Sequence, residues 1–292
     1  MSTTNEATAI APVPQAAFAF IQTLSDELAA RKAQLPGLPD IALRVRRALA
    51  DGASTHEVVQ LVGSEPALAA RLVQVADCGL LNPGDRIAGL PEAVSRAGPA
   101  LVGAVALAFA LSQLPRAPSM RGLERPAEAL WQRSAAVAAA AWVVARRLAQ
   151  VDADQALLAG LLHGVGKLYI LWRTYGDPEL VRDRASYHTI VRDWHAHAAR
   201  ALLADWDMPA EVICAVGEYE DTARVHGGPA DLTDVLCLAH LLVSYREYPE
   251  SMELSMQGVT AAARLQLDQG ACNRFVAESR EDIAVLRAAL AG

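Results

Sequence analysis

The chain has 292 residues, with 26 Lys and Arg against 33 Asp and Glu, a formal net charge of −7, and 53% hydrophobic residues of which few are aromatic. This length suits two lobes or one large domain, and the negative charge disfavours general binding to nucleic acid or to anionic membranes. Because the apolar residues are mainly Ala, Leu and Val, which favour helices over strands, we predict an all-α fold.

Helix signals follow one another along the first part of the chain. After a flexible tail at 1–15, the spacing of apolar residues predicts a helix over 16–33, and the two prolines of 35–40 end it. Later helices are predicted from capping residues and from proline in the first turn. These starts lie near Asp40, at the capping box of Ser54 and Glu57, at an N-cap on Ser64, and at Pro91 with an interruption at Gly98 and Pro99.

A proline-rich, charged segment at 116–125 is interpreted as a linker between an N-terminal helical lobe at 16–115 and a second helical lobe at 126–292. The second lobe is predicted to begin with one long helix. Further predicted features are a capping box of Asp152 and Gln155, a helix stopped by Gly164 and Gly166, an irregular stretch at 173–187, and helices over 195–206, from Pro209 and over 232–245.

The cysteine pattern and the N-terminus bear on location. The four cysteines are far apart and form no CxxC pair, so we expect reduced thiols. The N-terminus lacks a signal-like apolar core, and the uncharged run at 97–115 contains too much Gly and Pro to span a membrane. We therefore predict a cytoplasmic protein.

Three histidines fall on apolar faces of three predicted helices. If His163, His195 and His240 face one another, their neutral imidazoles could bind Zn, Fe or Ni. The commoner alternative is a set of hydrogen-bonded core histidines. His197 is expected to pair with Asp193 on the surface. The other histidines, His56, His188 and His226, are expected in solvent or loops.

Several segments together resemble a known family. The sequence AGLLHGVGKL around His163 is similar to the GLLHDIGKL signature of the HD superfamily, and the surrounding pattern resembles the HD-related output domain, HDOD, over 35–245. The resemblance implies an all-α, multi-helical fold with the N-terminal lobe packed on an HD-like lobe. The other matching segments are LPGLPDIALRV, GSEPALAARLVQVADC, PEAVSRAG, LWQRSAAVA and HAHAARALLADWDMP.

The same resemblance implies a degenerate site. Arg133 stands in place of the early metal-binding His, and Gly164 in place of the Asp that follows the retained His163. A fixed positive charge opposes a divalent cation, and glycine supplies no ligand, so we expect no metal, no cofactor and no catalysis. Tyr219 and Glu220 replace a late His pair, and His240 replaces the final Asp, while His195 is retained.

The resemblance leaves two further expectations about these residues. If any metal binds, its ligands would be His163, His195, Glu220 and His240. Arg133 is expected to pair with Glu220 or Glu218 where the metal would have been.

The HDOD resemblance implies a non-catalytic output module in signal transduction, acting on a signalling protein of unknown identity. In one version the cleft is only a core remnant; in another it binds a small anion or nucleotide through Arg133 and Lys167. The alternative is a metal-dependent phosphohydrolase of nucleotides or cyclic dinucleotides. An RNA-associated regulator is disfavoured by the net charge.

The last predicted helix carries an apolar stripe. Its members follow alternating steps of four and three residues and include Cys272, Ser279, Leu286 and Leu290. The stripe either folds back on its own chain, which we favour, or forms a dimer or partner interface.

Overall fold

The computed structural model describes residues 15–81, 84–176, 180, 183–245 and 258–291, and within these residues it contains helices and no strand. The predicted all-α fold is confirmed, while the predicted tail lies outside the described residues except for Gln15. The α-helices are α1 Gln15–Ala29, α2 Asp40–Ala50, α3 Thr55–Gly63, α4 Pro66–Ala76, α5 Leu90–Gln113, α6 Glu124–Leu148, α7 Ala153–Leu162, α8 Val165–Arg173, α9 Arg184–Asp205, α10 Ala210–Glu218, α11 Leu232–Ser244, α12 Thr260–Arg264 and α13 Gln269–Ala291.

The N-terminal part packs around α5. Helices α2, α3 and α4 all contact it. The helix bends at Gly98, where a φ of 71° takes the backbone into the left-handed region that glycine tolerates, and Pro99 then begins the second, almost fully buried half. The interruption predicted at these two residues is confirmed. The span Leu90–Arg116 is long and apolar enough to cross a membrane, but 78% of its most apolar window is buried in the protein, as in a core helix.

The segment interpreted as a linker is mostly exposed, but it includes a turn of 3-10 helix at Pro118–Met120 that follows another at Leu114–Arg116, and Met120 is fully buried. Helix α6 then runs through the centre of the second part, where α7, α11 and α13 contact it.

The C-terminal helix folds back on its own chain. Helix α13 contacts α4 and α5 as well as α6, and the stripe residues Cys272, Ser279, Leu286 and Leu290 are buried. Arg71 donates hydrogen bonds to the carbonyls of Ala289 and Leu290 in the last turn, which satisfies acceptors that the helix leaves free. The favoured interpretation of this stripe is confirmed.

Several predicted boundaries need correction. Helix α1 ends at Ala29, four residues before the predicted end. Ser64 is the C-cap of α3, and Glu65 is the N-cap of α4. The capping box of Ser54 and Glu57 is confirmed.

Boundaries in the second part also differ from the predictions. Asp152 caps α7 through the backbone N–H groups of Asp154 and Gln155, without a reciprocal bond from Gln155. Gly166 does not end a helix, since it lies inside α8. Helix α9 begins at Arg184, within the stretch predicted to be irregular, because Asp183 caps it there.

Candidate functional site

Two glycines bring the helices of the site into close contact. A Cβ atom on Gly160 of α7 would lie 2.4 Å from the Cα of Ala138 in α6. A Cβ atom on Gly166 of α8 would lie 2.0 Å from the backbone oxygen of His195 in α9. Only a residue without a side chain permits such approaches. These contacts fix the two backbones that carry His163 and His195.

His163 is buried at the junction of α7 and α8. His163 is the C-cap residue of α7. Its Nδ1 atom lies 2.7 Å from the carbonyl oxygen of Gly160, to which it can donate a hydrogen bond. Burial, followed by the nearby His240, holds the pKa of His163 well below its usual value. The imidazole is therefore neutral at physiological pH.

His195 and His240 complete the predicted histidine group. The Nδ1 atom of His195 lies 2.8 Å from the carbonyl oxygen of Val191, and its Nε2 faces Glu220 at 3.4 Å. Burial lowers the pKa of His195, and burial together with the charge of Arg133 lowers the pKa of His240 to about 3. The Nδ1 atom of His240 is buried without a hydrogen-bond partner among the described residues.

The aromatic ring of Tyr219 lies among the three imidazoles. Its centroid is 4.9 Å from that of His240, 5.4 Å from that of His163 and 6.3 Å from that of His195. The ring is 1% exposed, and burial, followed by the charge of Glu220, raises the pKa of its hydroxyl well above the usual value. The phenol hydroxyl donates to Glu220 Oε1 at 2.9 Å. The structure thus brings the predicted histidines together, but around an uncharged aromatic ring.

Glu220 is held by an ion pair. Lys167 Nζ donates to Glu220 Oε1 at 2.6 Å and lies 5.7 Å from the centroid of the Tyr219 ring. Burial alone would raise the pKa of Glu220, but the hydrogen bond and charge of Lys167, with help from His195 and Tyr219, bring this pKa below its usual value. Glu220 is therefore charged and paired with Lys167.

The predicted pairing of Arg133 with Glu220 or Glu218 is wrong. Arg133 Nη2 donates to the hydroxyl of Ser244 at 2.5 Å, and that hydroxyl donates to the carbonyl oxygen of His240 at 2.6 Å. Glu220 forms its ion pair with Lys167. Glu218 lies 3.1 Å from Arg224 and 3.3 Å from Arg200 instead.

The predicted surface pair of His197 and Asp193 is also wrong. The carboxylate of Asp193 pairs with the neighbouring Arg192 at 2.7 Å, while the ring of His197 lies 5.8 Å from that of Trp194. Arg192, and not His197, pairs with Asp193 because two guanidinium nitrogens of Arg192 reach both oxygens of the carboxylate.

A second polar cluster, which was not predicted from the sequence, lies between the loop before α11 and helix α12. His226 Nε2 lies 2.9 Å from Asp234 Oδ2, and Asp231 is close by. Two arginines occupy the carboxylates: Arg224 bonds Asp231 at 2.8 Å, and Arg264 bonds Asp234 at 3.1 Å. The spacing of Asp231 and Asp234, which forms a capping box, was the sequence signal available for part of this cluster.

Neither cluster fits a divalent metal ion well. In the part of the chain that the structure describes, His226, Asp231 and Asp234 are the group of three or more ligand residues whose donor atoms all lie within 4.8 Å of one another. Arg224 and Arg264 already neutralise its carboxylates. The donor atoms of His163, His195, Glu220 and His240 do not form such a group.

Solved structures share the fold of this chain. A putative metal-dependent phosphohydrolase from Shewanella amazonensis SB2B superposes with a TM-score of 0.73 at 22% identity, covering 94% of this chain and 99% of that one. An HDOD domain protein with unknown function from Geobacter sulfurreducens gives a TM-score of 0.65 at 23% identity, covering 92% and 96%. A putative signal transduction protein from Marinobacter aquaeolei VT8 gives 0.59 at 22% identity, covering 96% and 68%. Among curated proteins, none matches the sequence significantly.

The chain shares its all-helical fold with proteins named for phosphohydrolysis and for signal transduction. The sequence identifies one family among these all-helical proteins. The chain belongs to the HDOD domain family, whose profile matches residues 35–222. The resemblance found in the sequence motifs is thereby confirmed.

Proposed function

We propose that this protein is a non-catalytic regulatory module of signal transduction, located in the cytoplasm, in which a degenerate HD cleft has become part of the folded core. The observation that carries this function is the position of Tyr219 among three uncharged imidazoles. A metal ion in an HD hydrolase needs carboxylate and imidazole ligands with open coordination positions. Here an aromatic ring packs against all three imidazoles, and Gly164 offers no carboxylate.

The charges of the cleft favour a protein partner over a small anion bound in the cleft. An anion would need Arg133 or Lys167 to be available. Lys167 is paired with Glu220, so its charge is already balanced, and Arg133, which donates one N–H to Ser244, would be left to balance the charge of an anion alone. The output is therefore expected to pass through a surface of the fold to a signalling protein.

The alternative is a metal-dependent phosphohydrolase of nucleotides or cyclic dinucleotides. It is favoured by the fold shared with two Shewanella amazonensis proteins that are named putative phosphohydrolases. In that case His163, His195, Glu220 and His240 would be the ligands, and Tyr219 would have to leave the space among the imidazoles.

A phosphodiesterase assay with matched histidine variants separates the two functions. The purified protein, His163→Ala and His188→Ala are each incubated with bis(p-nitrophenyl) phosphate and with Mn²⁺ or Fe²⁺. His188 is exposed on α9 and serves as the control for loss of a histidine. We expect all three proteins to show the same background rate. Turnover that disappears in His163→Ala and persists in His188→Ala would establish the enzyme.

A further inference from the structure

A cavity of about 440 Å³ that includes none of the cleft histidines lies between the middle of α5 and the junction of α6 with α7. Its wall includes apolar side chains, among them Leu101 and Trp142, and its charged residues are Arg96, Arg146, Asp152 and Asp154. It therefore joins the predicted N-terminal lobe to the second lobe. Volumes of this size are typical of small-molecule sites, which often lie between packed units of a fold.

Two opposite charges face this cavity without meeting. Arg146 is exposed, its guanidinium lies 5.3 Å from the centroid of the Trp142 ring, and no carboxylate of the described residues pairs with it within 4.0 Å. Asp154 likewise has no cationic partner within that distance in the described part of the chain. Arg96 differs, because it bonds the carbonyl of Asp85 and pairs with Glu92.

The surroundings of Asp154 are unfavourable for a lone carboxylate. It is half-buried, and burial, followed by the neighbouring Asp152, raises its pKa. A hydrogen bond from Trp142 and the charge of Arg146 oppose this rise without cancelling it. A desolvated carboxylate without a cation costs free energy, and such groups are frequent where a ligand binds.

We propose that this cavity binds a free amino acid with an apolar side chain, whose carboxylate pairs with Arg146 and whose ammonium group pairs with Asp154. A zwitterion supplies both missing charges in one molecule, and bonds to charged groups are the strongest hydrogen bonds available to it. The side chain of the amino acid would contact Leu101 and Trp142. This site goes beyond the proposed function, since it uses neither the histidines nor Tyr219.

Calorimetric titration of the full chain with L-leucine tests the site. The same titration uses 4-methylpentanoate, which lacks the ammonium group, and isoamylamine, which lacks the carboxylate. We expect leucine to bind and each analogue to bind at least about tenfold more weakly, because each leaves one charge of the cavity unpaired. Absence of leucine binding at about 10 mM, or equal binding of an analogue, would overturn the proposal.

Matched variants locate the binding in this cavity. Asp154→Asn and Arg146→Gln should each weaken leucine binding by about tenfold or more. Arg147→Gln is the control, because Arg147 is the next residue of α6 and pairs with Asp282 instead. We expect Arg147→Gln to bind leucine as the parent does. Leucine binding that is unchanged in Asp154→Asn and Arg146→Gln would place the ligand elsewhere and contradict the proposal.

Discussion

The histidine cleft and the cluster around Asp234 bury polar groups in opposite ways. In the cleft, burial disfavours the charged form of three imidazoles, and an aromatic ring packs against all three. In the cluster, the charges remain, and Arg224 and Arg264 neutralise Asp231 and Asp234. The cleft has the residue types of a metal site without its geometry, and the cluster has the donor geometry with its charges already balanced.

This difference shows that ligand residues in the right order do not by themselves define a metal site. Whether a metal ion can bind depends on whether the donor atoms converge and whether their charges are still available to a cation. The two regions also predict different responses to substitution and to pH. The following predictions separate them.

Asp234→Ala should have the largest effect. Asp234 is 1% exposed, and its carboxylate accepts hydrogen bonds from Arg264, from His226 and from the backbone N–H of Asp231. Its removal leaves the half-buried Arg264 without its carboxylate partner, so we expect a loss of about 3–5 kcal/mol in the free energy of unfolding. Denaturant unfolding measures it, with the exposed Asp205→Ala as a control expected to change little. A loss below about 1 kcal/mol would contradict a buried ionic cluster.

Acidification should destabilise the cleft next most strongly. The pKa values of His163 and His240 are lowered in the folded protein, so below about pH 6.5 the unfolded chain takes up protons that the folded chain does not. Stability is then complete above the unfolded value and falls as pH drops from about 6.5 toward the folded value, which is about 3 for His240. Each histidine contributes a slope approaching about 1.4 kcal/mol per pH unit.

The histidine origin of this slope can be checked by substitution. Unfolding free energies at pH values between about 5 and 7.5 are compared for the parent and for His240→Asn, which removes one titrating group. We expect a shallower slope in the variant. Identical slopes would mean that His240 is not buried in its neutral form.

Gly166→Ala tests the close packing beneath the cleft. The added Cβ would meet the backbone oxygen of His195 at 2.0 Å, so α8 and α9 must separate, with an expected cost of about 2–3 kcal/mol. Gly79→Ala is the matched control, because a Cβ atom added to Gly79 would have no neighbouring atom within 4 Å. Equal unfolding midpoints for the two variants would show that α8 and α9 are not held in contact here.

Tyr219→Phe should have the smallest effect. It keeps the ring among the imidazoles and removes only the hydroxyl that donates to Glu220. We expect a loss of about 1 kcal/mol in the free energy of unfolding, since Lys167 still binds that carboxylate. A loss as large as that of Asp234→Ala would mean that the hydroxyl, and not the ring, maintains the cleft.

Much of the fold could be predicted from local signals. The capping box at Ser54 and the glycine break at Gly98 each depend on neighbouring residues, so the sequence contains the whole cause. The start of α9 was missed because its first turns are polar and mostly exposed, which weakens the apolar periodicity. The convergence of His163, His195 and His240 followed from their apolar helix faces and from the family resemblance.

The pairing of side chains in the site could not be predicted in the same way. Arg133 lies in α6, Ser244 at the end of α11 and Glu220 in the turn after α10, so which of them the guanidinium reaches depends on how these helices pack. The filling of the cleft by Tyr219 has the same origin, because alignment identifies a substituted residue without giving the direction of its side chain. The cavity beside Trp142 joins residues from helices far apart in sequence.

Elemental analysis after metal reconstitution tests the central claim most directly. The protein is stripped with chelator, incubated with Fe²⁺, Mn²⁺ or Zn²⁺, desalted and analysed beside His163→Ala. Because Tyr219 lies among the imidazoles and Glu220 is paired with Lys167, we predict far less than one metal ion per chain, with the same content in both proteins. About one ion per chain that is retained on desalting and lost in His163→Ala would contradict this account and establish a metal centre.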